Sequence, residues 1–174
     1  MREAAIKILL ERGRDKFTLD AVATAAQVNR TTLYRRWSTK ERLLTWALLE
    51  SVKQQVPQPN LGNIKEELVV IAKALNTFIQ TPLGQAFSQV LVPGPEADQA
   101  VLDAITQFWR ERLALTHEVI ERAVERGELP SSVRADDLTE QIFGPFYFRH
   151  LARQKEIDAQ FVEDIVTRAL EAAS

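Results

Sequence analysis

Apolar residues recur at intervals of three and four along nearly all of this 174-residue chain, and no alternating apolar and polar run interrupts them. That periodicity is what helices need to bury one face, so the chain reads as helices only. Three breaks combine residues that end helices or form turns: PQPNLG (57–62), VPGPE (92–96) and GELPSS (127–132). Before the second break, Leu68, Ile71, Leu75, Phe78 and Ile79 share a face. A long stripe of Val101, Ile105, Phe108, Trp109, Thr116, Val119, Ile120 and Ala123 predicts a helix from about Ala97 to Arg126. At about 1.5 Å per residue it would run roughly 45 Å. Leu138, Ile142, Phe143, Phe146, Tyr147 and Leu151 mark another helix. The last carries Phe161, Val162, Ile165, Val166, Ala169 and Leu170, a stripe wide enough for its own core and a second surface. No internal repeat or low-complexity tract occurs, and the length suits one large domain or a small one joined to a larger.

Residues 1–52 are the most specific part. Met1, Ala5, Ile8 and Leu9 line a first helix that Gly13 ends. Thr18 stands where an N-cap belongs, with Asp20 in the first turn of a short second helix, favoured there by the helix dipole. Ala26, Gln27 and Val28 form a tight turn, Asn29 caps a third helix, and residues 30–37 supply about two turns. Ser38, Thr39, Lys40 and Glu41 fit a capping box opening a fourth helix. Two short helices joined by a three- or four-residue turn describe a helix-turn-helix.

In the third helix Leu33 and Trp37 lie four apart and pack inward with Val28. Arg30, Thr31, Tyr34 and Arg35 then face outward, with Thr32 and Arg36 at the margins. Such a face suits DNA: arginines fork onto guanine edges or phosphates, threonines donate, accept and offer a methyl to thymine, and Tyr34 can donate to a phosphate oxygen. Lys40 adds an ammonium to the next helix's N-terminal amides, which already attract phosphate, and Thr18, at the start of the second helix, completes the set of DNA-contact candidates. The charge is divided in the same sense. Residues 1–52 hold ten Lys and Arg against six Asp and Glu, whereas residues 53–174 hold twelve against eighteen. A basic segment ahead of an acidic one points to a polyanion for the first part, although solvated faces also produce such splits.

Several function classes fall away. Cysteine is absent, which removes disulfides, thiolate metal sites and cysteine nucleophiles. No apolar run approaches the roughly 18 residues of a membrane span, and the charged N-terminus is unlike a signal peptide, so the chain is expected to be cytoplasmic with no membrane partner. No phosphate-cradling glycine loop, nucleophile elbow or paired histidine motif is present, so neither catalysis nor a cofactor is expected. His117 with Glu118 and Glu121 reads as a charged helix face rather than a metal site, and His150 is equally plain.

The segment FTLDAVATAAQVNRTTLYRRWSTKERLL resembles the DNA-binding segment of the TetR family of transcriptional regulators. Thr18, Val22, Ala23, Ala26, Val28, Thr32, Leu33, Tyr34, Lys40 and Leu43 or Leu44 stand at or close to family positions, with Trp37 for the common Phe and Asn29 for the common Ser. Gln27 departs from the usual turn Gly; at positive φ it would cost of order 1 kcal/mol. Met1 falls inside the family's first helix, ahead of which relatives carry basic residues that often reach DNA. Residues 109–112 (WRER), the turn RGEL (126–129) and GPFYFR (144–149) resemble one class of TetR-type regulatory domain.

The resemblance implies an all-α protein: a three-helix DNA-binding domain with its connecting fourth helix (1–52) and a helical ligand-binding and dimerisation domain (53–174). It implies a homodimer made by the last two long helices, with Phe146, Phe161, Ile165 and Leu170 as interface candidates. Gly144 allows close approach and Pro145 removes a helix hydrogen bond and bends the penultimate helix. It further implies a mostly apolar small-molecule pocket. Its candidates are Phe78, Phe87, Trp109, Thr116, His117, Phe143 and Tyr147, with Gln107 and Gln141 as further anchors. The function so implied is a repressor that binds a palindromic double-stranded DNA operator and is released by a small-molecule effector. The contrasting reading is a helical protein-interaction module that no longer reads DNA.

Overall fold

The chain folds as helices because its local punctuation is consistent with its periodicity. The computed structural model describes residues 1–53, 55–95 and 97–173. Its helices are α1 (Arg2–Arg12), α2 (Leu19–Ala25), α3 (Arg30–Arg36), α4 (Lys40–Val52), α5 (Ile64–Ile79), α6 (Pro82–Val90), α7 (Gln99–Glu125), α8 (Ala135–Tyr147) and α9 (Ala159–Ala173). A π-helical turn, Phe148–Arg153, follows α8. No strand occurs among the described residues. Glu96, the last residue of the second sequence break, lies outside them.

Two compact units divide the chain. The first takes Met1–Gln54 together with Thr81–Phe108. In it α4 packs on α1 and α6, and α2 packs on α1 and α3. Ala5, Phe17, Val22, Leu33, Leu43, Ala47 and Leu48 are almost completely buried, and Phe87 meets Phe108 edge-on with ring centroids 5.3 Å apart. Burying one such side chain stabilises by about 1.5–3 kcal/mol, so this small core decides the geometry of the short helices it holds.

The caps follow sequence where they act over two or three residues. The Thr18 hydroxyl accepts from the Ala21 amide at 3.1 Å, and Asn29 Oδ1 accepts from the Thr31 amide at 2.8 Å. Gly13 takes φ +76°, a region glycine enters freely. Gln27 takes φ +54° between α2 and α3, so the turn keeps the glycine-like conformation at a cost of about 1 kcal/mol.

One expectation needs correction. The fourth helix is not opened by a Ser38–Glu41 capping box: Thr39 is the N-cap, accepting from the Arg42 amide at 3.3 Å. The frame is displaced by one residue because Trp37, 6% exposed, is held extended (φ −127°, ψ 97°) by the burial of its ring, which carries Ser38 outward. The region before the second break contains two helices, α5 and α6. Thr81 caps α6 by accepting from the Gly84 amide at 3.0 Å, with Pro82 at the first helical position, where its missing N–H is harmless.

The second unit takes Gln55–Gln80 with Trp109–Ser174, and in it α5 and α8 pack on α9. Leu68, Ile79, Ile120, Leu138, Ile142, Phe146 and Val166 form its dry interior. Glu67 is buried among them without exposure: its Oε1 accepts from the amides of Leu61 at 2.6 Å and Gly62 at 3.0 Å, and its Oε2 lies 3.4 Å from Arg126 Nη2. A buried carboxylate is tolerable because its oxygens are bonded in this way. Pro145 sits inside α8, and three residues later the winding widens into the π-turn, which ends at Gln154 in the left-handed region (φ +46°).

Candidate functional site

The outer side of α3 is assembled by what its inner side buries. Leu33 is 1% exposed, and with Trp37 it anchors the helix to the first unit's core. Arg30, Thr31, Thr32, Tyr34, Arg35 and Arg36 are therefore all exposed, as is the capping residue Thr18; Lys40, in the first turn of α4, is half-buried.

The cations on this face are held differently. Arg30 lies 3.5 Å from Asp20, across the α2–α3 turn. Arg36 stacks its guanidinium over Trp37 at 4.4 Å and near Trp46 at 5.7 Å, while the two indoles sit 4.8 Å apart. Stacking leaves a guanidinium's edge donors available while fixing its plane. Arg35 has no acidic partner among the described residues and projects into solvent. The arrangement can place several positive charges, two threonine hydroxyls and a phenol against a nucleic-acid groove.

Sequence reasoning missed two residues of the same unit. Arg42 Nε donates to Asp98 Oδ2 at 2.8 Å, and Asp98 Oδ1 accepts from the Val101 amide at 3.1 Å, capping the start of α7. That bond to Arg42, and then the Val101 amide, hold the Asp98 carboxyl below the usual aspartate range. A 56-residue separation leaves no signal in the sequence. Arg14, Thr39, Gln89, Gly94 and Asp98 border an open cleft of about 400 Å³ beside them.

The second unit contains a cavity of about 50 Å³ lined by Val56, Ile71, Leu75, Trp109, Arg112, Leu113, Thr116, Thr139, Phe143 and Tyr147. Four of the pocket candidates, Trp109, Thr116, Phe143 and Tyr147, meet there. Trp109 and Tyr147 touch edge-to-face with centroids 5.6 Å apart. Burial pushes the Tyr147 hydroxyl up to about 12, with Arg112 pulling in the opposite sense. Phe78 is buried elsewhere in this unit's core, and Phe87 belongs to the first unit, against Phe108. His117 Nε2 lies 3.1 Å from Asp136 Oδ1, and Gln107 and Gln141 are exposed. Arg112 and Thr139 are cavity residues that periodicity alone did not single out, since both read as ordinary polar helix positions.

The interface candidates separate by burial. Phe146 is completely buried in the protomer, between Phe143 and Phe161 at 6.2 and 5.6 Å, and offers no surface to a second copy. Phe161, Ile165 and Leu170 are half-buried on α9, and Arg149 lies 3.6 Å over the Phe161 ring. Phe148 and Leu151, on the π-turn, are exposed. Among the described residues no group of three His, Asp or Glu side chains could hold a metal ion, and no helix is long and apolar enough to cross a membrane.

Comparison with known proteins gives two family matches: residues 2–45 to the bacterial regulatory proteins of the tetR family, and residues 58–169 to the tetracyclin repressor-like C-terminal domain. The chain is similar to the HTH-type transcriptional regulator AqdR of Rhodococcus erythropolis, 40% identical over 133 residues, which is 75% of this chain and 62% of AqdR. The chain thus spans less than two thirds of that relative. It is 26% identical to the regulator YdeS of Bacillus subtilis over 95% of this chain and 84% of YdeS. Its fold matches the crystal structure of the TetR family transcription regulator SCO0332 with a TM-score of 0.85 and 26% identity, covering 99% of this chain and 96% of that one.

Proposed function

The chain belongs to the TetR family of helix-turn-helix transcriptional regulators, not to an enzyme family, and from that premise we propose that it is an effector-released repressor acting as a homodimer. The observation that carries the reading is the outer face of α3, where Arg30, Thr31, Tyr34 and Arg35 stand exposed opposite buried Leu33. Two such helices in successive major grooves, about 34 Å apart, would read a roughly palindromic operator. In this reading residues 1–52 contact DNA and residues 53–174 serve effector binding and dimerisation. An effector that binds better to a dimer whose reading helices are wrongly spaced weakens DNA binding by the same factor, by linkage.

The test is selection of bound duplexes from a random pool by the purified protein at two salt concentrations. Enrichment of a palindrome, with log affinity falling steeply against log salt, is the expected result. A folded dimer that enriches nothing would overturn the reading in favour of a protein-interaction module.

A further inference from the structure

Arg112 brings a full positive charge to a cavity whose walls are otherwise mostly apolar or aromatic. No carboxylate lies within ion-pairing distance of it among the described residues, and its one hydrogen bond is a long one, 3.4 Å from Nη1 to the Val56 carbonyl. Burial pulls its pKa below the usual arginine value, with Tyr147 pulling in the opposite sense. Thr139, on the same cavity and 4% exposed, has a hydroxyl oxygen with no hydrogen-bond partner. Buried polar groups are normally satisfied, and here an unpartnered hydroxyl and a half-buried guanidinium with no carboxylate partner line one small space.

We propose that this cavity takes a small planar aromatic or conjugated monocarboxylic acid, its carboxylate paired with the Arg112 guanidinium and accepting from Thr139, its ring held by Trp109 and Phe143. This deepens the effector-released reading above and rests on it. A guanidinium fork matches a carboxylate bidentately, and a single cation among aromatic walls favours a monoanion over a phosphate dianion. Tyr147 cannot supply the missing charge, because its phenol stays protonated at neutral pH. The volume of about 50 Å³ holds only a few waters, so a ring enters by displacing a wall. Tyr147 is that wall: it is the last residue of α8, immediately before the winding changes to the π-turn, and its contact with Trp109 is the one an entering ring must open.

The test is calorimetric titration of the full chain, without DNA, with two matched pairs of probes: benzoate against benzamide and cinnamate against cinnamamide. The acid of at least one pair is expected to bind about tenfold tighter than its amide. Arg112→Met should abolish that preference without weakening the amide and without lowering the melting temperature of the ligand-free protein, since it removes an uncompensated charge. Arg112→Lys, which keeps the charge and loses the fork, should retain part of the preference. Thr139→Val should weaken the acid severalfold. Equal binding of acid and amide, a preference that survives Arg112→Met, or no acid bound at about 10 mM would each overturn the proposal. Because no DNA is present, these outcomes are separate from failure of the operator selection.

Discussion

Arg42, in the first turn of α4, donates from Nε to Asp98 Oδ2 at 2.8 Å, while the other oxygen of Asp98 caps the start of α7. One carboxylate thus ties the helix that follows the candidate DNA-reading helix to a helix that starts 59 positions later in the chain. Because the pKa of Asp98 is lowered in the folded state, its contribution is fully present above the ordinary aspartate range and is lost as pH falls through the lowered value. Asp98→Asn should therefore lower stability at neutral pH and flatten its decline on acidification. Urea unfolding of both proteins across acidic pH checks this, and parallel pH profiles would count against it.

Arg35 and Arg36 should separate on DNA. Arg35→Ala is expected to weaken operator binding about tenfold and to reduce the salt slope by about one if it contacts phosphate, with the fold unchanged. Arg36→Ala should in addition change the fluorescence of the indoles it covers, Trp37 and Trp46. Electrophoretic or anisotropy titrations of folded variants decide this; unchanged affinity for Arg35→Ala would remove α3's outer face from the reading surface.

Gln27 holds a left-handed conformation that glycine takes without strain. Gln27→Gly should raise stability by up to about 1 kcal/mol, reduced by glycine's larger unfolded-state entropy. Gln27→Val should lower it. Thermal unfolding of the pair reads the sign directly.

Glu67→Leu should destabilise by about 1–3 kcal/mol, because it takes the acceptor from the Leu61 and Gly62 amides and leaves Arg126 with Glu128 alone. Glu67→Gln, which keeps an acceptor, should lose less. Denaturant titration ranks them, and near-neutral behaviour of the leucine variant would show that water replaces the carboxylate.

Phe146 and Ile165 should fail in different ways. Phe146→Asp is expected to unfold the second unit, since the ring is fully buried, whereas Ile165→Asp, on the half-buried face of α9, should leave a folded monomer. Circular dichroism with sedimentation velocity distinguishes them. A folded dimer for Ile165→Asp would move the interface off this face.

Local rules act within about one turn of chain, and there the sequence alone was sufficient: the all-helical class, the caps at Thr18 and Asn29, and the inward Leu33 with its outward arginines all follow from spacing. The positive φ of Gln27 was legible through the family pattern, which places glycine at that turn. Where two local solutions compete, packing chose: burial of the Trp37 ring moved the cap from Ser38 to Thr39. Which aromatic is core and which lines the cavity was also undetermined, because Phe143, Phe146 and Tyr147 share one stripe and differ only in what lies opposite them. The pairing of Arg42 with Asp98, the burial of Glu67 and the place of Arg112 on the cavity wall were decided by tertiary structure alone. Each depends on partners far away in sequence, and a helical pattern states which face is buried without stating against what.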